Sequence, residues 1–341
     1  MTGRNGRAGR SPAATVAAGI AVAGVVGLGL LTLQGGAGAQ PALPPVSPED
    51  LVASVLKAEP GPFEGSVQLD NELGLPALPN LPQAANGTST AQVWSGGDHK
   101  GRVQIPSPTG ERTLVSDGTT FWAWNSDDRT VTTGTRRLDQ GGPTMADPTK
   151  AATDALAALQ PTSTISVDGT DEVAGRPVYD LVLAPKPTER TLLREVRIAV
   201  DAQERMPLRL TVLAQGSTTP ALQIGFTDLT FGPQDPGRFT FTPPAGATVK
   251  DAPSRDAQQQ QQQRDKPTVV GDGWDRVIVE KVPQNNPDRA KQIAGLGTPT
   301  SGPWGNGRLV KTAVGTAIIT DDGRVAAGAV PEQVLSETLS R

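Results

Sequence analysis

The chain has 341 residues, no cysteine, one histidine and a net charge of −4. This excludes disulfides, thiol catalysis and cysteine metal sites, and it gives nucleic acid little electrostatic hold. With 39 glycines and 31 prolines against six Phe, five Trp and one Tyr, the composition favours many short strands and turns over helical bundles, in one large unit and a small one.

Arg4, Arg7 and Arg10 open the chain, and no acidic residue precedes Glu49. Residues 13–33 are almost wholly apolar and are followed by Ala37-Gly38-Ala39, a small-x-small cleavage pattern. Residues 1–40 therefore read as a signal peptide cleaved after Ala39, or as a retained N-terminal membrane anchor, since the apolar run is just long enough to span a bilayer. The arginines keep the N-terminus inside and send the remainder out. The protein is expected to be extracytoplasmic, free or anchored to the cell membrane by residues 13–33.

Ser47-Pro48-Glu49-Asp50 predicts a helix start: a capping serine, proline at the first helical position and acids at the positive dipole end. Leu51, Val52, Val55 and Leu56 form its apolar stripe, and Pro60 stops it. From Phe63 the period changes to two. Strand-like runs at 90–94, 100–105, 112–115, 119–124 and 129–135 alternate with Gly- and Asp-rich turns, which describes an antiparallel meander. Asp147-Pro148 opens a second helix to about Leu159. Strands resume at 164–167, 177–183, 193–200, 208–213 and 222–229. Three of them alternate cleanly, with Tyr179, Leu181 and Leu183, then Val196, Ile198 and Val200, then Leu208, Leu210 and Val212 on one face and charged residues on the other. A sheet of about eleven strands with one apolar face must curl to bury it. With only two helices to cover that face, an apolar binding cavity is expected.

Residues 251–267, with glutamines from Gln258 to Gln263, read as a linker. Beyond it, strands at 277–282, 309–313, 316–319 and 325–330 and a helix from Pro331 to Leu339 form a small unit. The fold class is thus α+β: a curled antiparallel half-barrel over residues 41–250 with covering helices, and a small α+β C-terminal domain over 268–341.

The stretch LGLPALPNLP at 73–82 sets Leu73, Leu75, Leu78 and Leu81 among prolines that bar both helix interiors and central strands. It falls between two sheet strands. It is read as an extended flap across the cavity mouth, against the plainer alternative of a loop whose leucines pack on the outer sheet.

The catalytic inventory is thin. His99, alone in GGDHKGR, has no nucleophile and orienter around it and reads as a surface residue. Asp127-Asp128 and Asp321-Asp322-Gly323 lack the spaced acids of a calcium loop and read as turns. Neither a cofactor nor a metal is called for. Trp122 and Trp124 share one strand face, as cavity lining or as simple core. The candidate lining set is Trp122, Trp124, Tyr179, Leu181, Leu183, Val196, Ile198, Leu208, Leu210 and Val212.

Three segments carry a family resemblance: GRPVYDLVLAPK, REVRIAVDAQERMPLRLTV and IGFTDLTFGPQDPGRFTFTPPAGATV. The mixed strand ending in Val-Asp, the Pro-Leu-Arg after a turn and the final Phe-x-Phe-x-x-Pro-x-Gly-Ala-x-Val resemble the LolA superfamily of lipoprotein carriers. DGTTFWAWNSDDRTV is similar to that family's Asp-Gly-x-x-x-Trp strand. The C-terminal GDGWDRVIVEKVP, GRLVKTA and DDGRVAAGAVPEQVLSETL resemble the small second domain of the MucB/RseB sigma-factor regulators. The resemblance implies no enzymatic activity. It implies a half-barrel holding lipid or lipoprotein acyl chains, working as a carrier or as an envelope-stress sensor that regulates a membrane-bound anti-sigma factor. Expected partners are therefore acyl chains and, in the second reading, a membrane-anchored regulatory protein.

Overall fold

The computed structural model describes residues 43–74, 86–107, 109–135, 158–252, 267–281 and 297–341. The apolar segment 13–33, Leu75, Leu78 and Leu81, nearly all of the helix predicted from Asp147 and the glutamine run lie outside these residues. The described chain is mostly β, in two sheets.

Helix α1 (Pro48–Lys57) begins as its sequence dictates. The Ser47 hydroxyl accepts a hydrogen bond from the Asp50 N–H at 3.0 Å, Pro48 follows it, and Glu49 and Asp50 occupy the first turn. Its fully buried Leu51 packs on Tyr179, Leu181 and Val200. The Tyr179 hydroxyl also donates to the Pro44 carbonyl at 2.9 Å, tying the entering chain to the sheet.

The large sheet contains β1 (Phe63–Asn71), β2 (Gly87–Gly97), β3 (Lys100–Ser107), β4 (Gly110–Asp117), β5 (Thr120–Asn125) and β6 (Thr130–Thr135). It continues with β7 (Ser163–Val173), β8 (Arg176–Pro185), β9 (Leu193–Asp201), β10 (Pro207–Ala214), β11 (Pro220–Phe231) and β12 (Thr248–Asp251). The strand order is β12-β6-β5-β4-β3-β2-β1-β11-β10-β9-β8-β7. Two five-strand meanders, β2–β6 and β7–β11, are therefore joined by β1. Only β12 is parallel to its neighbour. The sheet rolls up enough for β7 to approach β11 across three intervening strands.

The β1–β11 pairing is the seam between the meanders. Its register slips between Ser66 and Val67, the extra residue of a bulge that bends and twists a sheet. Gly65 stands at this bend. A Cβ there would lie 2.6 Å from the Asp228 carbonyl oxygen and 2.8 Å from the Phe226 ring. Phe226 in turn meets Phe63 edge-on, with ring centroids 5.9 Å apart, an arrangement that aromatic quadrupoles favour.

A buried ion pair fixes the other side of the roll. Asp201, its side chain 1% exposed, accepts from the guanidinium of Arg176 and from the N–H of Gln203 at 2.9 Å. Arg176 lies over the Phe231 ring, 4.8 Å from its centroid. Burial works against ionising Asp201. The Arg176 bond and the N–H groups of Glu204 and Gln203 outweigh it and hold the carboxyl below its ordinary range.

The second sheet has the order β13-β14-β18-β17-β16-β15. Its strands are β13 (Thr268–Val270), β14 (Val277–Lys281), β15 (Thr298–Gly302), β16 (Gly305–Lys311), β17 (Thr316–Thr320) and β18 (Arg324–Gly328). Helix α2 (Glu332–Leu339) buries Val334, Leu335 and Leu339 against Ile318, Ala326 and Trp304. The sequence reading missed β12, β13 and β15, short runs without alternation such as Thr-Pro-Thr-Ser-Gly.

The two sheets touch. Trp274 donates its indole N–H to Ser163 at 2.7 Å and its backbone N–H to Glu189 at 3.0 Å. The Ala313 N–H donates to the Leu73 carbonyl at 3.0 Å, and the Leu192 N–H donates to the Ala329 carbonyl at 2.8 Å. Val314, Trp274 and Ala329 pack on Leu193, Val196, Val212 and Leu222 of the large sheet.

Two predictions follow from this framework. Gly65→Ala should destabilise the protein by about 1–3 kcal/mol through overpacking at the seam. Gly61→Ala, with nothing within 4 Å of its Cβ, should be near neutral. Denaturant midpoints compare the two, and equal midpoints would show that the seam is not tight. Arg176→Ala, which leaves a buried carboxylate unpaired, should cost about 3–5 kcal/mol near neutral pH. A carboxyl held low in the folded state contributes stability above the ordinary carboxylate value and loses it as pH falls through the folded value. The gap between wild type and variant should therefore narrow in acid, and urea melts at several pH values check this.

Candidate functional site

Antiparallel register assigns the faces of the large sheet directly. Across β1–β5, Gly65 stands opposite Val93, Val93 opposite Val103, Val103 opposite Leu114 and Leu114 opposite Ala123. Val67 and Leu69 lie on this same face of β1, two and four residues along from Gly65. Leu69 stands opposite Ile224 of β11. This face forms an apolar groove with a volume of about 570 Å³, within the ordinary range of roughly 300–1,000 Å³ for small-molecule sites. Its apolar walls are Phe63, Val67, Leu69, Ala91, Val93, Val103, Ile105, Leu114 and Ile224, while Ser89, Ser95, Gly101 and Ser116 contribute small side chains. The small residues leave the volume; the branched ones make it apolar. Leu114 is 48% exposed, a state in which a large apolar side chain gains little from folding.

The opposite face is closed. There Glu64 stands opposite Trp94, Trp94 opposite Arg102, Arg102 opposite Val115 and Val115 opposite Trp122. A 3-10 helix (Pro236–Phe239) lays Arg238 over the Trp94 ring, 5.0 Å from its centroid, and buries Phe239 against Gly96. Arg102 donates to the Arg238 carbonyl at 3.3 Å, and Arg129 donates to the Ala245 carbonyl at 2.6 Å. The chain after β11 is thus a strap, pinned at its end by β12.

None of the ten residues singled out from the sequence lines this groove. Trp122 and Trp124 lie on the strap side, because they stand opposite Val115 and Thr113. Tyr179, Leu181, Leu183 and Ile198 pack beneath α1 and the segment leading into it. Val196, Val212 and Leu210 meet the second sheet, and Leu208 is fully buried beside Phe226. Leu73 packs with Val314 rather than in the groove, and Leu75, Leu78 and Leu81 lie outside the described residues. The groove residues carried a weaker sequence signal. Serine, alanine and glycine do not read as an apolar face, and Leu114-Val115 is apolar on both faces.

Catalytic groups do not gather here. His99 sits in the β2–β3 turn with φ 62°. Asp127 and Asp128 serve turns, accepting from the Thr109 hydroxyl at 2.8 Å and the Thr130 N–H at 3.1 Å. No cluster of metal-ligating side chains occurs among the described residues, and no described helix is long and apolar enough to cross a membrane.

No family model and no curated protein sequence matches this chain. Solved structures do. A MucA/MucB complex structure from Pseudomonas aeruginosa matches over 86% of this chain and 96% of that one, with 14% identity and a TM-score of 0.50. The fold of this chain is similar to that of the MucA/MucB structure. A crystal structure of MucB matches at 18% identity over 85% of this chain and 94% of that one, with a TM-score of 0.42. A LolA superfamily protein from Nitrosomonas europaea matches at 12% identity over 58% of this chain and 99% of that one, with a TM-score of 0.25. The match to the MucA/MucB structure covers more of this chain than the large sheet alone contains, so the likeness extends into the second sheet.

Proposed function

We propose that this is an exported, non-enzymatic protein that binds lipid or lipoprotein acyl chains in the groove of β1–β4 and β11. The observation that carries the reading is the groove itself. It is an apolar concavity of about 570 Å³ with few polar groups, on the open half of a face whose other half is packed. An acyl chain needs such a surface and little else, because each buried methylene contributes about 0.8 kcal/mol without directional bonding. The N-terminal arginines and apolar run support export.

One observation favours a second reading, that of an envelope-stress sensor acting on a membrane-bound anti-sigma factor. The MucB structure that this chain resembles over both sheets is a complex with MucA. Under this reading the groove is the sensor's input and a protein partner its output.

Leu114→Asp tests the groove. Its side chain is already half in water, so the fold should survive, yet an ionised group would face the acyl chain at a cost of several kcal/mol. Binding of a fluorescent palmitoyl probe should fall by at least tenfold, which corresponds to about 1.4 kcal/mol, with an unchanged melting curve. Equal affinity in both proteins would reject the groove as the site. Native mass spectrometry of the protein extracted from its own membrane separates the readings: bound lipid alone marks a carrier, and a stoichiometric protein partner marks a regulator.

A further inference from the structure

The groove ends where the second sheet begins. Ile224 lines the groove. Leu210, directly opposite it on β10, and Leu222, two residues along β11 on the same face, both pack in the cluster that holds Val314, Trp274 and Ala329 of the second sheet. The apolar floor does not stop at Ile224. It continues opposite strand by strand, from Leu69 to Ile224, Leu210, Ile198 and Leu181. Ile224 faces the open groove, while Leu222, Leu210 and Ile198 pack in the cluster with the docked unit, so the apolar floor passes from the groove to the foot of the second sheet.

We propose that the docked second sheet is the end wall of the groove, and that Val314 and Trp274 set the longest acyl chain the protein accepts. This rests on the acyl-binding reading above and adds a specificity to it. Leu73 is part of the same wall. It packs in the cluster with Val314, and its carbonyl holds the Ala313 N–H, so the strand that lines the groove through Val67 and Leu69 also anchors the wall. Trp274 keeps the unit seated. Its indole N–H is bound to Ser163 at the start of β7 and its backbone N–H to Glu189 in the β8–β9 connection, and the preceding Gly273, at φ 57°, approaches so closely that a Cβ would lie 2.4 Å from the Thr162 methyl. A chain that fits short of the wall gains affinity with every methylene. A chain that reaches it must stop, bend back or displace the unit.

The experiment uses the full-length chain and a series of fluorescent fatty acids from octanoyl through lauroyl and palmitoyl to stearoyl. In the wild type, affinity should climb by up to about fourfold per added methylene and then level off at one chain length. In Trp274→Ala, which loosens the seating, and in Val314→Ala, which cuts back the wall, the levelling should move to longer chains. If one variant does not fold, the other decides. A plateau at the same length in the wild type and the folded variants overturns the end-wall assignment and leaves groove binding standing. No binding of any chain by the wild type overturns both.

Discussion

The seam between β1 and β11 is the constraint on which the rest of the molecule depends. Each meander folds from neighbouring strands joined by short turns. The meanders become one sheet only because the first strand of the domain pairs on one side with β2 and on the other with the last strand of the second meander. That long-range pairing carries a high closure cost, and the sequence meets it with residues suited to close approach. Gly65 admits the Asp228 carbonyl and the Phe226 ring, the bulge at Thr227 bends β11 beside it, and Phe63 locks against Phe226 and Phe231. The same bend makes the β1–β5 face concave, so the groove and the seam are two consequences of one local geometry. Arg176, stacked on Phe231 and paired with Asp201, ties the far hairpins to this point.

The apolar face of the large sheet is shared out unequally. Over β7–β10 it meets α1 and the second sheet, and Tyr179, Leu181, Val196 and Val212 become core. Over β1–β5 it is packed only at the seam, where Phe63, Val67 and Val93 are buried with Leu208 and Phe226, and it opens toward the half-exposed Leu114. The burden of stability there shifts to the other face, where Val115, Trp124 and Val131 are buried beneath the strap and its neighbours. This division lets a thin, single-sheet wall remain rigid while one side stays open.

The larger features were legible in the sequence because each rests on a local rule. Ser47-Pro48 capping placed the start of α1, and Tyr179/Leu181/Leu183 alternation placed β8. The candidate site was not legible in the same way. Clean alternation of large residues marks strands that are packed on one face, so the eye is drawn to β8–β10, which are core. The groove strands carry Ser89, Ala91, Ser95 and Gly101 where a packed strand would carry leucine or valine, and a cavity is made of what is small. Trp122 and Trp124 invited a binding role by size alone. Only the register, which places Trp122 opposite Val115, shows that they belong to the strap face. Register is a long-range property, and a shift by one residue would exchange the faces.

The strap explains how such a register is held. β2–β5 have one face that cannot contribute a full core, so the ordinary penalty for slipping a strand, exposure of its buried set, acts through the opposite face alone. Arg238 over Trp94, Phe239 against Gly96 and the Arg102 bond to the Arg238 carbonyl each require the even-numbered residues of β2 and β3 on that side. A one-residue slip of β3 would turn Arg102 toward the groove and Val103 toward the strap, losing the hydrogen bond and placing a guanidinium in an apolar concavity. The contacts that close the back of the sheet therefore also hold the Arg102 guanidinium on the strap side. The groove keeps its apolar wall here because contacts made on the strap side fix which side chains face the front.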